Sequence, residues 1–158
     1  RDRSPSRGLG DVYKRQMGGR LIADIVTKGM NVITRNTTLI VSPQSEVGDF
    51  RHFLVSQRLV VDDEKMLKED GKYYFIIKCR KSDENVYSEY SETQYQYGWK
   101  LLESKDKTLY EYLIKEKETN DGISNSLKKD ESNPTVKLRL QQLLQKNNII
   151  MDALSYYD

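Results

Sequence analysis

The chain has 158 residues, of which 37% are hydrophobic and 32% are charged, and its formal net charge at pH 7 is +2. No apolar run approaches the roughly 18 residues that a membrane-spanning helix needs, so we expect no such helix and no membrane partner. A single cysteine, Cys79, and a single histidine, His52, exclude a disulfide framework and a zinc site built from several such residues. We therefore expect a cytoplasmic protein that holds no metal ion.

The basic charge is concentrated at the start of the chain. Residues 1–16 carry five basic groups against two acidic ones, whereas residues 17–158 carry 21 basic and 22 acidic groups. The segment RDRSPSRGLGDVYKRQ has no apolar periodicity and lacks the apolar core of a secretion signal. We expect residues 1–16 to be a foreign or disordered leader, and a basic arm that binds nucleic acid is the alternative.

The first apolar segments after this leader predict a helix followed by a strand. The helix is predicted by four apolar residues at helical spacing, Leu21, Ile22, Ile25 and Val26. Gly29 is a suitable end for it. Residues 37–41 form a short β-branched run that ends before Pro43, which is typical of a buried strand.

The next segment predicts a second helix and a β-hairpin. Ser45 is expected to cap the helix, whose apolar residues continue to about Leu59. Residues 60–67 and 72–81 predict two strands, joined by a turn in which Gly71 can take a positive φ. This alternation of helices and strands predicts an α/β sheet with right-handed crossovers, of which about three strands are visible.

The composition changes after residue 81. Residues 82–105 are polar and rich in tyrosine, and we expect them to form a connector. Residues 106–158 predict a coiled-coil-like tail of two helices, over residues 106–118 and 135–156, joined by a polar stretch.

The last helix carries a heptad seam with one polar member. The residues of the seam are Val136, Leu140, Leu143, Asn147, Ile150 and Leu154. Leu109 and Leu113 can supply the facing ridge, which predicts an antiparallel helical hairpin whose register Asn147 helps to fix. An alternative hypothesis follows from this seam, namely a non-enzymatic interaction module with the helices as its working surface.

Four segments in order resemble the bacterial tRNA (adenine-N1)-methyltransferase family called TrmK. They are MGGRLIADI at 17–25, LIVSPQSE at 39–46, RHFL at 51–54 and EDGKYYFII at 69–77. The resemblance spans roughly residues 17 to 118. It implies a class I, S-adenosylmethionine-dependent enzyme, in which residues 17–81 are the carboxyl-terminal half of a Rossmann-like sheet that ends in an antiparallel hairpin.

The resemblance also implies a reaction and a partner. The family methylates N1 of the adenine at position 22, in the D-arm of tRNA, and its helical tail is thought to help hold the tRNA. Residues 82–158 carry 10 basic and 14 acidic groups, however, which does not favour a phosphate-neutralising surface. Neither the particular tRNA nor the oligomeric state follows from the sequence.

The candidate site residues come from the same resemblance. Met17, Gly18 and Gly19 match the family's loop after its fourth strand, which implies cofactor contacts for all three and a methyl-transfer role for the two glycines. Pro43 and Gln44 match the loop after the fifth strand, which implies substrate binding, with the Gln44 amide able to contact a base edge. The alternatives are a helix entry and a surface turn that bind no ligand.

The family's cofactor motif, a strand ending in an acidic, glycine-rich turn, does not occur in residues 17–158. We therefore expect this chain to be a carboxyl-terminal fragment that alone neither binds S-adenosylmethionine well nor methylates tRNA.

Other chemically capable residues have simpler explanations. We expect His52 to be a surface or packing residue of its helix and Cys79 to be a core residue. Residues 62–64 are expected to be a solvated acidic strand start rather than a metal site. The tyrosines between residues 87 and 97 can stack on bases or pack between sheet and tail.

Overall fold

A computed structural model describes residues 17–83 and 89–158. The elements are α1 (Gly19–Gly29), β1 (Thr38–Val41), α2 (Val47–Ser56), β2 (Leu59–Glu69), β3 (Lys72–Lys81), α3 (Glu92–Tyr97), α4 (Trp99–Glu103), α5 (Lys107–Leu127), a 3-10 turn (Lys128–Asp130) and α6 (Pro134–Ser155). The predicted leader, residues 1–16, and Tyr87 of the tyrosine-rich connector lie outside the described residues. Within those residues, no helix has both the length and the apolar character that a membrane crossing requires.

The three described strands form one sheet in the order β1-β3-β2, and both pairings are antiparallel. β3 is central because its residues KYYFIIKCRK are the most β-prone run in the chain and bury alternate side chains. β2 and β3 are joined by the predicted turn, in which Gly71 has φ 76°. The predicted α/β class and the hairpin are confirmed.

A β-bulge in β2 changes which side chains face the core. Val61 pairs with Cys79, but the next pairs are Asp63 with Lys78 and Glu64 with Ile77, so one residue of β2 is left over. Because strand side chains alternate between faces, the extra residue turns Glu64 inward, where strict alternation from Val61 would turn it outward. The prediction of a solvated acidic run at residues 62–64 is therefore wrong for Glu64, which is 5% exposed.

Two boundaries of α2 differ from the sequence prediction. Glu46, and not Ser45, is the N-cap residue, and it makes no side-chain cap hydrogen bond. Glu46 has φ 55°, a left-handed conformation that turns the chain sharply into the helix. Leu59 does not extend α2 but begins β2.

The tail is a helical hairpin, as predicted, but its first helix is longer. α5 continues to Leu127, through residues that the sequence assigned to a polar joint. Asn120 donates a hydrogen bond to Asn147 of α6, and Asn147 donates one to Asp121. These hydrogen bonds hold the polar part of α5 against α6, so α5 remains helical there. Every member of the heptad seam is buried or half-buried.

Two apolar cores hold the structure together. The first joins the sheet to α1 and α2 and contains Ile22, Val26, Ile33, Phe50, Leu54, Leu59, Val61, Ile77, Cys79 and Trp99. The second joins the end of the β2–β3 hairpin to α3–α6 and contains Met66, Phe75, Tyr97, Leu101, Leu102, Leu109, Leu113, Ile150 and Ala153. The connector therefore contributes to both cores, through Trp99 and Tyr97, and includes two short helices that the sequence did not predict.

Candidate functional site

Two loops meet beside the carboxyl end of β1. The backbone nitrogen of Gln44 donates a hydrogen bond to the Met17 carbonyl at 2.8 Å, and the backbone nitrogen of Gly19 donates one to the Ser45 carbonyl at 2.7 Å. The entry to α1 and the exit from β1 are thus joined through their backbones. The structure therefore brings all five candidate site residues, Met17, Gly18, Gly19, Pro43 and Gln44, into one pair of loops.

The two glycines permit this close approach. A Cβ at Gly18 would lie 2.5 Å from the Ser45 hydroxyl oxygen, and one at Gly19 would lie 2.5 Å from the Glu46 carbonyl oxygen. The contact at Gly19 is with the backbone, so the packing of one loop on the other requires glycine there, whereas the contact at Gly18 is with the Ser45 side chain, which can rotate away. This requirement is internal to the chain and holds whether or not a ligand binds.

The β1 loop presents the polar side chains of Gln44, Ser45 and Glu46 to solvent. Pro43 is fully buried, whereas Gln44 is exposed and makes only a 3.4 Å hydrogen bond from its amide to the Ser42 carbonyl. The Gln44 amide is therefore available to donate and accept hydrogen bonds, as recognition of a base edge requires. Pro43 can act only by shaping the loop.

These loops would fit one wall of an S-adenosylmethionine site. They offer the side-chain amide of Gln44, whereas the carbonyls of Met17 and Gly18 already accept hydrogen bonds from the backbone nitrogens of Gln44 and Ile22. The carboxylate that follows them, Glu46, lies 3.7 Å from the guanidinium of Arg20. The buried Arg51 Nε and Glu64 Oε2, which have no partner in the described residues, belong to a different part of the molecule. The remaining contacts to such a cofactor would have to come from outside the described loops.

The most buried charges form a cluster between α2 and β2 that the sequence analysis missed. Arg51 of α2 is 0% exposed and forms an ion pair with Glu64 of β2. The same guanidinium donates to the carbonyls of Tyr95 at 2.6 Å and Gln96 at 2.7 Å, both in α3. One side chain therefore ties α2, the sheet and the connector together.

Burial governs the chemistry of this pair. Desolvation raises the pKa of the Glu64 carboxyl above its ordinary value, against the opposing effect of the Arg51 guanidinium. Gly98 packs against the same carboxylate, because a Cβ at this position would lie 2.6 Å from Glu64 Oε2. The only sequence signal for the cluster was the arginine that opens RHFL, directly after the apolar Phe50.

The helical tail packs at the same end of the sheet as the two loops. Val41, the last residue of β1, pairs with Ile77, and the hairpin continues five residues further, to Lys72. On this projecting part, Lys68 forms a 2.5 Å ion pair with Glu111 of α5. Tyr73 of the same part contacts Tyr112 of α5 at a ring-centroid distance of 5.1 Å. The hairpin therefore positions the tail on the side where β1 delivers Pro43 and Gln44.

The remaining candidates have structural environments. His52 is exposed, stacks on Tyr95 and lies 3.5 Å from Glu92, as expected for a surface residue. Cys79 is fully buried, and desolvation raises the pKa of its thiol to about 12, which confirms it as a core residue. Asp62 pairs with Arg80 at 2.8 Å. The part of the chain that the structure describes contains no cluster of three side chains able to hold a metal ion.

The connector tyrosines pack between sheet and tail. Tyr90 stacks on Trp99 at a ring-centroid distance of 3.8 Å, and Tyr95 meets the same indole edge-on. Tyr97 donates its hydroxyl hydrogen to Glu116 of α5. For these three tyrosines the packing interpretation is the one that the structure supports.

A strand, a glycine-entered helix and an antiparallel hairpin, with loops meeting at the strand's carboxyl end, form a mixed α/β fold. Solved structures share this fold. The Bacillus subtilis m1A22 tRNA methyltransferase TrmK superposes with a TM-score of 0.69 at 23% identity, over 87% of this chain and 59% of that one. TrmK of M. capricolum in complex with S-adenosyl-homocysteine gives a TM-score of 0.70 at 23% identity, over 89% and 57% of the two chains.

The sequence comparison then identifies the family. The model of the TrmK family, described as tRNA (adenine(22)-N(1))-methyltransferase, matches residues 15–151, and the chain belongs to this family. The curated Bacillus subtilis (strain 168) enzyme of the same description is 34% identical over 70 residues, which are 44% of this chain and 29% of that enzyme. The chain thus spans less than a third of this curated relative and under two thirds of the solved ones. The match gives no support to the alternative of a helical interaction module.

Proposed function

We propose that this chain takes part in S-adenosylmethionine-dependent methylation of adenine N1, at position 22 of tRNA, as the part of the enzyme that carries the substrate-side loops and the helical tail. The observation that carries the proposal is the convergence of the family-matched segments MGGRLIADI and LIVSPQSE into one hydrogen-bonded pair of loops. By the same family membership we propose the cytoplasm, where tRNA is modified, as its location.

The proposed reaction needs little acid–base chemistry from the protein. Bound S-adenosylmethionine supplies a methyl group that is already electrophilic, because it is attached to a sulfonium. Adenine N1 has an in-plane lone pair and no proton, so no general base has to act before attack. The protein's task is to align the reacting atoms, exclude water and extract the base from its stack. A site without a catalytic histidine or cysteine is consistent with this task.

Each loop then has a distinct proposed role. Gly18 and Gly19 hold the α1 entry against the β1 loop, and we assign cofactor contacts to Met17, Gly18 and Gly19. The buried Pro43 shapes the β1 loop, and the exposed side-chain amide of Gln44 forms hydrogen bonds with the edge of the target adenine. We assign substrate binding to Pro43 and Gln44 and the methyl-transfer position to the two glycines.

The tail has a positional role. The ion pair between Lys68 and Glu111 and the contact between Tyr73 and Tyr112 hold α5 on the projecting hairpin, beyond the carboxyl end of β1. A tRNA that presents its D-arm to the loops would pass along this hairpin. We propose that α5 and α6 contact its backbone there.

A chimeric enzyme tests the proposal. Residues 17–158 replace the corresponding part of the Bacillus subtilis relative, and methyl transfer to a tRNA carrying adenine 22 is followed by mass spectrometry of N1-methyladenosine. We expect methylation of that adenine and none when it is replaced by guanine. A folded chimera that binds S-adenosylmethionine but leaves the tRNA unmodified would contradict the proposal.

A matched pair of glutamine variants assigns the β1 loop. In the chimera, Gln44→Ala should lower kcat/KM about fivefold, since one hydrogen bond contributes about 1 kcal/mol. Gln57→Ala removes an equally exposed amide just beyond the other end of α2 and should leave the rate unchanged. Equal effects of the two variants would remove Gln44 from the site.

A further inference from the structure

A cleft of about 370 Å³, here called the α5–α6 cleft, lies where the start of α5 meets the end of α6. Its apolar lining comes from Ile114 of α5 and Leu154 of α6, and both side chains are half-buried. Tyr110 and Tyr157 add two aromatic rings, whose centroids are 5.1 Å apart and whose planes meet at 53°. A cleft of this size and lining suits a small ligand that has a flat ring.

The two tyrosines are held in different ways. Tyr157 is half-buried, and its hydroxyl donates a 2.7 Å hydrogen bond to the Asp106 carbonyl, which fixes the ring against the start of α5. Tyr110 is 44% exposed, so part of its ring surface is open to solvent. Exposed aromatic rings of this kind are the surfaces on which proteins stack unpaired nucleobases.

Positive charge accompanies these rings. Lys105 and Lys107 line the same cleft, and neither forms an ion pair within the residues that the structure describes. Asp158 is the one acidic side chain of the lining, so the two ammonium groups outnumber the carboxylates. The cleft therefore combines aromatic rings with cations that are available to an anionic ligand.

Lys105 occupies a backbone position that ordinarily belongs to glycine. Its φ is 52°, in the left-handed region. The backbone nitrogens of Lys105 and Asp106 donate hydrogen bonds to the carbonyls of Leu102 and Leu101, which is the pattern that ends a helix with glycine in the place of Lys105. A lysine here is less stable than glycine, as is common for residues whose side chain serves a binding site.

We propose that the α5–α6 cleft binds one unstacked nucleotide, whose base stacks on the two tyrosines and whose phosphate contacts the two lysines. The nucleotide belongs to an RNA chain, and this choice rests on the proposed function. Glu111, the neighbour of Tyr110, pairs with Lys68 and so holds α5 on the projecting hairpin, along which the tRNA is proposed to pass. A free mononucleotide has the same chemistry and is the competing source.

Binding of a short single-stranded RNA by the full chain tests the aromatic contact. Fluorescein-labelled tetra-adenylate is titrated with the chain, and the affinity is measured by fluorescence anisotropy. Tyr110→Ala should weaken binding about fivefold or more, whereas Tyr110→Phe keeps the ring and should bind as the parent does. Both variants should fold, because Tyr110 is already exposed. Absence of binding by the parent chain, or equal affinities of the two variants, would overturn the proposal.

The lysines are tested through the salt dependence of the same binding. Lys105→Gln and Lys107→Gln should each lower the slope of log K against log salt by about 0.7, the effect of one lost phosphate contact. Lys137→Gln removes another exposed cation, 17 residues before Leu154 on α6 and therefore about 25 Å from the cleft, and should leave the slope unchanged. Residues 1–16 are present in every variant, so any binding by their basic groups is common to all. An equal effect of Lys137→Gln would exclude the cleft as the phosphate contact.

Adenosine 5′-monophosphate distinguishes the two sources of the nucleotide. We expect it to compete with tetra-adenylate but to bind at least about tenfold more weakly, because it lacks the neighbouring phosphates. Equal affinity would identify a free nucleotide as the ligand and overturn the RNA source.

The cleft and the proposed function fail separately, because binding of tetra-adenylate requires no methyl transfer. A loss of affinity in Tyr110→Ala, together with a chimera that leaves tRNA unmodified, would retain the cleft and contradict the proposed function. An active chimera, together with unchanged affinity in Tyr110→Ala, would do the reverse.

Discussion

The sheet region and the helical tail both expose apolar side chains, but with different consequences. Leu138 and Leu144 of α6 are more than half exposed, as is Ile40 of β1. A helix satisfies its own backbone hydrogen bonds, so an exposed leucine on α6 costs only the hydration of its side chain. An edge strand also leaves backbone groups unpaired, so the same exposure on β1 favours pairing with a further strand. The tail is held by helices that are neighbours in sequence, whereas β1 pairs with β3, whose partner residues lie 36 to 42 positions further along the chain.

The buried pair of Arg51 and Glu64 joins the sheet region to the connector, which in turn packs against the tail, and removing this pair tests how far the sheet region depends on it. Arg51→Met should lower the free energy of unfolding by about 4 kcal/mol, because Glu64 is then left buried without its cation. Urea unfolding followed by tryptophan fluorescence measures the free energy of unfolding, since Trp99 lies in the connector between the sheet and the tail and is buried in the first core.

The double variant Arg51→Met with Glu64→Met is the control for this effect. It removes both charges and should recover most of the lost stability, leaving the cost of the unbonded carbonyls of Tyr95 and Gln96. If the double variant is no more stable than Arg51→Met, the ion pair is not the source of the effect.

A substitution in the core of the tail tests whether burial also stabilises that region. Leu113 is fully buried between α5 and its neighbours, and Leu113→Ala should cost about 3 kcal/mol through lost burial and a residual cavity. Leu138→Ala on the exposed face of α6 should change stability by less than about 0.5 kcal/mol. A tail held together by surface contacts would instead show similar costs for the two variants in urea unfolding.

The smallest of the three effects is a dependence on alkaline pH that originates in the sheet core. Burial raises the pKa of the Cys79 thiol from its ordinary value of 9.0 to about 12. Between these two values the unfolded chain loses the thiol proton before the folded chain does, so stability is complete below pH 9 and falls as the pH rises towards 12. At pH 11 the thiol should account for a loss of about 2 kcal/mol relative to pH 8.

The variant Cys79→Ala isolates the thiol from the tyrosines. Burial also raises the pKa of Tyr157, to about 12, so some alkaline loss should remain in the variant. The difference in unfolding free energy between pH 8 and pH 11 should nevertheless be about 2 kcal/mol smaller than in the parent chain. If the difference between pH 8 and pH 11 is the same in Cys79→Ala as in the parent chain, burial in the core does not raise the pKa of the thiol.

The sequence by itself determined the elements whose evidence is local. Residues 72–81 of β3, the turn at Gly71 and the heptad seam from Val136 to Leu154 were predicted at or near their observed positions. Periodicity predicts such features because it reports directly which face of a strand or helix is apolar. The same local segments, in order, also identified the family.

Only the tertiary structure decided the features that depend on distant partners. The bulge after Val61 turned Glu64 into the core, and Arg51 bonds to groups 13 to 45 residues away. The polar end of α5 is helical because Asn147 provides partners for it. Gly19 of the candidate site is required by the backbone of the loop that packs on it. In each case the deciding interaction joins residues that sequence spacing does not relate, so a pattern along the chain could not contain it.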